Sequence, residues 1–483
     1  MANKEKEVKI LGSYKLKLEG VIVDVSIYSE EGEPVPIYNI SILNISSTTQ
    51  KILDKLREEF VSSISTGLLE NIETTGIKDQ FKQEIRGLIK KYFPGIDTET
   101  SELLVSHVIQ QNVGLGNIEI LLKDKNLEEI VVNNSKEPVW VYHRSFGWLK
   151  TNIFIQSESR IRHYSTTIGR EVGKEITLLN PLMDAHLDTG DRVNATLAPI
   201  SNKGNTITIR KFAEKPWSIT DFINTKTMNY EVASLVWLAI QNELSMIIAG
   251  GTGSGKTSAL NAIANFFPAN QRIISIEDTR ELTLPNTLHW VPMETRLANP
   301  EGKGMITMLD LVINSLRMRP DRIIMGEVRK KAEAEVLFEA MHTGHSVYAT
   351  IHANNAEETI TRLTNPPIDV PKAVLSSLSL ILVQSRNRRT GKRRTLQVAE
   401  IDKDGSSKVL IQLDVVKDKL LKVAEAKRTM ETLYLYTGMT PAEMRTDLEE
   451  KTSVLKWLVS ENITDVHQIG LVMSKYYSGK LRI

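Results

Sequence analysis

One stretch constrains this chain more than any other: Gly250-Gly251-Thr252-Gly253-Ser254-Gly255-Lys256-Thr257. It spells G-x-x-x-x-G-K-[ST], with the apolar run 244–249 before it and a helical-looking 258–267 after it. Glycines at these positions let successive backbone N–H groups turn inward around a phosphate. The helix that follows points the positive end of its dipole at the same anion. Lys256 can reach the β- and γ-phosphates as a point charge, and the Thr257 hydroxyl can be offered to Mg²⁺. A nucleoside triphosphate site is therefore expected at 250–258, including Ser258 in the first helical turn.

A nucleotide-hydrolysing site also needs carboxylates for the metal and the attacking water. Two apolar runs downstream deliver them. The first, 272–276, ends in Glu277 and Asp278, with Glu281 just beyond; the second, 322–326, ends in Glu327. Carboxyl ends of parallel strands are where ligand groups collect. His342, His345 and His352 fall within eleven residues of one another. Their spacing is not compact enough for a metal site, and with Cys 0 there is no thiolate to complete one, so zinc is not expected. Helix capping or packing remains open for them, as does a hydrogen bond from His352 to the γ-phosphate.

The rest of the chain frames that core. Residues 1 to about 48 alternate apolar and polar positions around Glu31-Gly32-Glu33-Pro34 and read as short strands. Helical stripes follow: Ile52, Leu53, Leu56 and Phe60; Ile77, Phe81, Ile85, Leu88 and Ile89; Leu103, Leu104 and Val108. Residues 1–112 are thus an expected strand and helical-bundle region. An α+β region spans 113–212, with strands at 118–122, 129–132, 139–143 and 206–210 and a helix near 158–172. It contains Arg192 and Arg210, which on spacing alone read as solvated. Residues 213–227, with Pro216 and no clear periodicity, are the expected linker. From 228 to 483 strand and helix patterns alternate, which points to an α/β fold with a mostly parallel sheet. Thr440-Pro441-Ala442-Glu443 opens a helix with a capping box, and another helix runs over about 465–477. The basic turn 386–394 reads as a solvated hairpin, with contact to anionic lipid or an acidic partner face as the alternative.

Lys+Arg 60 against Asp+Glu 59 leaves a net charge of +1, so no global field advertises nucleic acid, and no basic, aromatic-rich strand path is present. No run is apolar enough to span a bilayer, and the first residues lack the apolar core of a signal peptide. A cytoplasmic location is expected.

Four motifs occurring in order resemble those of the secretion and pilus-assembly ATPases, the hexameric motors of type II secretion, type IV pili and the archaellum. They are 250–257 as Walker A, Ile276-Glu277-Asp278-Thr279-Arg280-Glu281-Leu282 as the Asp box, Pro320 to Arg329 as an atypical Walker B, and His342 to His345 with Thr350 to Ala353 as the His box. Asp191-Arg192-Val193-Asn194 and Thr208-Ile209-Arg210-Lys211 also match. The resemblance covers about 113–385. It implies a RecA-like P-loop domain preceded by an α+β, PAS-like domain. It also implies ATP hydrolysis with Mg²⁺, held by Thr257, Glu277 and Glu327. Lys256 would bind phosphate, Glu327 would direct the water, Glu281 would support it, and His352 would contact the γ-phosphate. Arg192 and Arg210 would be catalytic arginines brought in by the preceding domain. A homo-hexamer on the inner face of the cytoplasmic membrane is implied, held there by a polytopic membrane platform protein. The cysteine-free tail resembles archaeal members, which favours assembly of an archaeal pilus or archaellum. A type IV secretion or conjugation ATPase, a RecA-like nucleic-acid motor and a non-hydrolysing nucleotide switch remain open as alternatives.

Overall fold

The computed structural model describes residues 8–18, 21–42, 77–98, 115–187, 189–212, 216–296 and 302–482. Scattered positions between 49 and 59 and between 100 and 108, and residue 298, are also described. The chain divides into two units, 1–214 and 215–483.

The first unit is built on one sheet with the order β1-β2-β3-β6-β5-β4-β9-β8-β7. Its strands are β1 (Val8–Leu18), β2 (Val21–Glu30), β3 (Ile37–Ile42), β4 (Leu127–Val132), β5 (Trp140–His143), β6 (Gly147–Thr151), β7 (Leu182–His186), β8 (Arg192–Thr196) and β9 (Thr206–Arg210). The N-terminal strands belong to the same sheet as the α+β strands, because β3 pairs in parallel with β6. A buried polar knot ties them down. Asp124 is fully buried and its carboxylate accepts the hydroxyls of Tyr14 and of Tyr38, the latter at 2.6 Å. The division expected at 112 therefore does not separate two sheets.

Residues 118–122 were expected as a strand and are instead helix α2 (Asn117–Lys123). α1 precedes it as Ile77–Tyr92. A five-residue apolar run cannot be assigned by periodicity alone, and here Ile118 and Leu121, one helical turn apart, are buried against the sheet. Helix α3 (Glu158–Glu171) starts at a Ser157 cap and buries Ile161, Tyr164 and Ile168. Of the expected bundle stripes, Leu53, Leu56, Ile85, Ile89, Leu104 and Val108 pack together in a small core. Phe60 and Leu103, and the side chains of Ile77 and Phe81, lie outside what is described.

The second unit carries a sheet ordered β12-β11-β13-β14-β10-β15-β16-β17-β18. The strands are β10 (Met246–Gly250), β11 (Arg272–Glu277), β12 (His289–Glu294), β13 (Arg322–Met325), β14 (Ser346–Ile351), β15 (Leu380–Arg386), β16 (Arg393–Ile401), β17 (Ser407–Asp414) and β18 (Lys419–Lys422). From β12 to β15 every pairing is parallel; β15 to β18 are antiparallel. Helices cover both faces, so the parallel strands are apolar throughout. Alternation still sorts their side chains. Ile248, Ile324, Tyr348 and Leu382 enter one core, while Ile247, Ala249, Ile323, Met325, Ala349 and Val383 enter the other.

Residues 216–227 of the expected linker are mostly folded. Helix α4 (Ile219–Asn224) has a Ser218–Asp221 capping box and buries Ile219 and Phe222 in the unit's core. A six-residue helix shows too little periodicity to be read from sequence. The other helices are α5 (Tyr230–Gln241), α6 (Lys256–Ala264), α7 (Met308–Ser315), α8 (Lys331–His342), α9 (Ala356–Thr364), α10 (Lys427–Thr437), α11 (Pro441–Ser460) and α12 (Val466–Tyr477).

Two buried cations brace this unit. Arg322, at the amino end of β13, is fully buried; it donates to Gln271 Oε1 at 2.6 Å, to the Ile240 carbonyl at 2.7 Å and to the Tyr348 hydroxyl. Lys451, on α11, lies between the rings of Trp237 and Tyr476 and donates to Asp447. Removing one partner of a buried ion pair leaves the other charge uncompensated, which costs more than the pair itself contributes. Asp447→Ala should therefore lower unfolding stability by about 3 kcal/mol in a urea titration.

Candidate functional site

β10 is buried along its whole length and delivers the glycine-rich loop at its carboxyl end. The geometry of that loop demands the residue types found. A Cβ on Gly250 would lie 2.3 Å from Ser254 Oγ and 2.6 Å from the carbonyl oxygen of Gln384 on β15, so any side chain there would push two strands apart. Gly255 caps α6 with φ of 90°, a left-handed conformation that favours glycine. Ser254 Oγ donates to the Gly251 carbonyl at 2.8 Å. Lys256 Nζ folds back onto its own loop and donates to the carbonyls of Gly250 at 2.9 Å and Gly251 at 3.1 Å. Thr257 and Ser258 stand in the first turn of α6.

In-register parallel pairing then lines up the neighbouring strand ends. Ile276 is opposite Met325, Met325 opposite Ala349, and Ala249 opposite Ile351, so Glu277, Glu327 and His352 leave the sheet along one edge. His352 Nε2 lies 3.4 Å from Glu327 Oε1 and 3.5 Å from Lys256 Nζ. The loop lysine, a carboxylate and an imidazole thus meet. Burial and the Lys256 charge hold the His352 pKa below its ordinary value. Burial also lowers that of Lys256, opposed by the negative charges of Glu327 and Glu281. His342 and His345 stay at the end of α8, where His345 Nδ1 is 3.2 Å from the Ala340 carbonyl.

Glu327 has a partner that its motif position does not suggest. Arg329 Nε and Nη2 both donate to its Oε2, at 2.9 and 2.6 Å, and Arg329 Nη1 reaches Asp278 at 2.5 Å. These bonds raise the Arg329 pKa. Glu277 is deeply buried; its Oε1 accepts the N–H groups of Glu281 at 2.9 Å and Leu282 at 3.2 Å, and its Oε2 is buried with no hydrogen-bond partner. Burial pushes its pKa up to about 7.

The donor chemistry fits Mg²⁺ brought in with phosphates. Among the described residues no group of three His, Cys, Asp or Glu could hold a metal alone. Mg²⁺ ordinarily takes one or two carboxylates and completes its octahedron with water and phosphate oxygens. The Thr257 hydroxyl, the Glu327 carboxylate and the orphaned Glu277 Oε2 are oxygen donors of that kind.

Two arginines that sequence reasoning left at the surface or at a partner face lie against the loop. Arg393 Nε donates to the Gly253 carbonyl at 2.9 Å, and Arg386 Nη1 is 3.4 Å from where a Gly253 Cβ would stand. The available signal was position: Arg386 ends the strand that pairs directly with β10. Arg394 turns elsewhere, onto Asp418 at 2.8 and 2.9 Å.

The first unit brings Arg192 and Arg210 together. They are exposed, directly opposed register partners on β8 and β9. Arg192 forks onto Asp184 at 3.0 and 2.6 Å, holding that carboxyl below its ordinary range, and Arg210 is also opposite Glu129 on β4.

The family model described as Type II/IV secretion system protein matches residues 175–446. An uncharacterized protein of Methanocaldococcus jannaschii is 31% identical over 485 residues, covering 97% of this chain and 87% of that protein. A putative conjugal transfer protein of Mycobacterium tuberculosis is 31% identical over 316 residues, 62% of this chain and 88% of its own length. Among solved structures, a crystal structure of the pilus retraction motor PilT with bound ADP is similar at 18% identity and a TM-score of 0.43, over 76% of this chain and 94% of that one.

The elevated Glu277 pKa makes stability depend on pH in a definite direction. A carboxyl whose pKa is near 4.5 unfolded and about 7 folded binds more protons in the folded state between those values. Its contribution is complete below pH 4.5 and lost as pH rises to 7, a fall of about 3 kcal/mol. In metal-free buffer, Glu277→Gln should remove this component, so the variant gains on the wild type between pH 5 and pH 8 in thermal melts.

Proposed function

Because the chain belongs to the type II/IV secretion system protein family, we propose that it is a cytoplasmic ATPase that converts ATP hydrolysis into mechanical work at the membrane. One observation carries this reading: Lys256, Glu327 and His352 converge at the carboxyl edge of a parallel sheet, beside a loop that tolerates nothing larger than glycine at 250.

Each residue's role follows from its chemistry. The N–H groups of 251–258 wrap the β-phosphate, and Lys256 leaves its loop carbonyls for the β- and γ-phosphate oxygens. Glu327 accepts a hydrogen bond from the attacking water and orients it in line with the γ-phosphate. Arg329 fixes the Glu327 carboxylate by occupying one oxygen, leaving the other towards His352. His352, held neutral by burial and Lys256, donates to the γ-phosphate without adding a full charge. Thr257, Glu277 and Glu327 would hold Mg²⁺, which would supply positive charge beside the phosphates. Glu281, whose N–H is held by Glu277, keeps its carboxylate near this cluster. Arg192 and Arg210, opposed on neighbouring strands, neutralise charge that grows in the transition state.

The work performed is assembly of a type IV pilus-like filament, an archaeal pilus or archaellum, by a homo-hexamer acting on a polytopic membrane platform protein. Overall similarity to an archaeal relative over 97% of the chain supports the archaeal side of this reading. The second reading is a conjugation or type IV secretion ATPase, favoured by the relative described as a putative conjugal transfer protein. Co-purification from membranes with a polytopic platform protein and pilin supports the first; recovery with a relaxase-type DNA complex supports the second.

Glu327→Gln should lower steady-state phosphate release by about 10²- to 10⁴-fold while ATP binding changes little. Substantial residual turnover removes Glu327 from this role. Arg210→Ala should cost about 10²-fold in kcat, with KM nearly unchanged.

A further inference from the structure

The Arg386–Arg393 pair has no place in the roles above, yet its setting is unusual. The two residues are direct register partners, the last of β15 and the first of β16. Like charges directly opposite each other on neighbouring strands oppose pairing. The usual remedy is an acidic neighbour, and the next residue shows it: Arg394 forks onto Asp418, with Lys392 3.9 Å from the same carboxylate. Among the described residues, Arg393 makes no ion pair. Its guanidinium is spent on a neutral acceptor, the Gly253 carbonyl.

The hairpin is also well fixed. Asn387 Oδ1 accepts the N–H groups of Arg389 and Thr390, each at 3.0 Å, and Asn387 N–H donates to the Lys392 carbonyl at 2.8 Å. β15 is welded to β10 through five register pairs ending at Gly250–Gln384. The two guanidinium groups are thus held beside a loop whose N–H groups and lysine already select an anion. An arginine fork suits phosphate oxygens better than a single carbonyl, because it can donate two parallel charge-assisted bonds.

We propose that Arg386 and Arg393 form an anion subsite for the phosphate chain of the bound nucleotide, closing on the loop at Gly253 from the β15–β16 hairpin. This rests on the reading of 250–258 as a nucleotide site. A phosphate oxygen competes with the Gly253 carbonyl for Arg393 and places negative charge beside both guanidinium groups. The subsite serves the nucleotide diphosphate as well as the triphosphate, so it acts on retention of product as much as on binding of substrate.

The test is titration of a fluorescent ADP analogue with Mg²⁺ into the full chain and its variants, with thermal melts to confirm folding. Arg393→Gln keeps a donor for the Gly253 carbonyl and loses the charge; Arg393→Lys keeps the charge. If the subsite binds phosphate, Gln weakens affinity about tenfold or more, Lys weakens it less, and Arg386→Gln adds a further loss. Arg388→Gln, on the exposed turn, leaves affinity unchanged. Binding by Arg393→Gln as tight as the wild type, or as tight as the Lys variant, overturns the subsite while leaving the nucleotide reading intact. A wild-type chain that binds no nucleotide overturns both. Should Arg393→Gln not fold, Arg386→Gln decides alone: wild-type affinity refutes the subsite.

Discussion

Backbone-to-backbone closeness at Gly250 governs the functional unit. A hypothetical Cβ there would sit 2.6 Å from the Gln384 carbonyl, so β10 and β15 can pair in this register only through a glycine. From that contact several placements follow. The loop turns away from β15 at once, α6 begins six residues later, and the carboxyl end of β15 comes to rest against Gly253. On the other side of β10, β14 delivers His352 at the same level, and β13 delivers Glu327 one strand further out. The chemistry assembles because the strands are in register, and the register is held by apolar residues that alternate between two cores.

Much of this was readable in the chain. The loop is contiguous with its strand and helix, the acids at 277, 281 and 327 follow apolar runs, and each obeys a local rule of spacing or periodicity. What escaped was set by long-range pairing. Arg386 and Arg393 read as solvated, or as facing lipid or a partner, until β15 is known to lie next to β10, more than a hundred residues earlier. Arg329 carries no role in the sequence beyond ending the Walker B-like stretch, and its bridge between Glu327 and Asp278 is visible only in the folded chain. The run 118–122 and helix α4 were misread because five or six residues do not complete enough turns to show a period. The N-terminal strands were legible as strands, but their incorporation into the larger sheet depends on Asp124 meeting Tyr14 and Tyr38 across some hundred residues.

Polar burial divides into two kinds in this molecule. Asp124, Arg322 and Lys451 are satisfied by several partners each and act as fixed points of the architecture. Glu277 differs, since one of its oxygens has no partner and its proton is held to about neutral pH. Desolvation without full compensation is tolerated near reactive centres, where a group must be free to change its bonding.

The anchoring of β13 bears on which parts of the unit can move. Its first residue, Arg322, is clamped to the end of α5, to β14 and to Gln271; four residues on, roughly 13 Å along the strand, the chain emerges as Gly326-Glu327. A rod bolted at its far end and sandwiched on both sides cannot slide lengthwise. Any displacement in the proposed hydrolytic cycle would then be taken up by side-chain rotation at the exposed tip and by the loops that flank it, with this strand as the stationary reference against which they are measured.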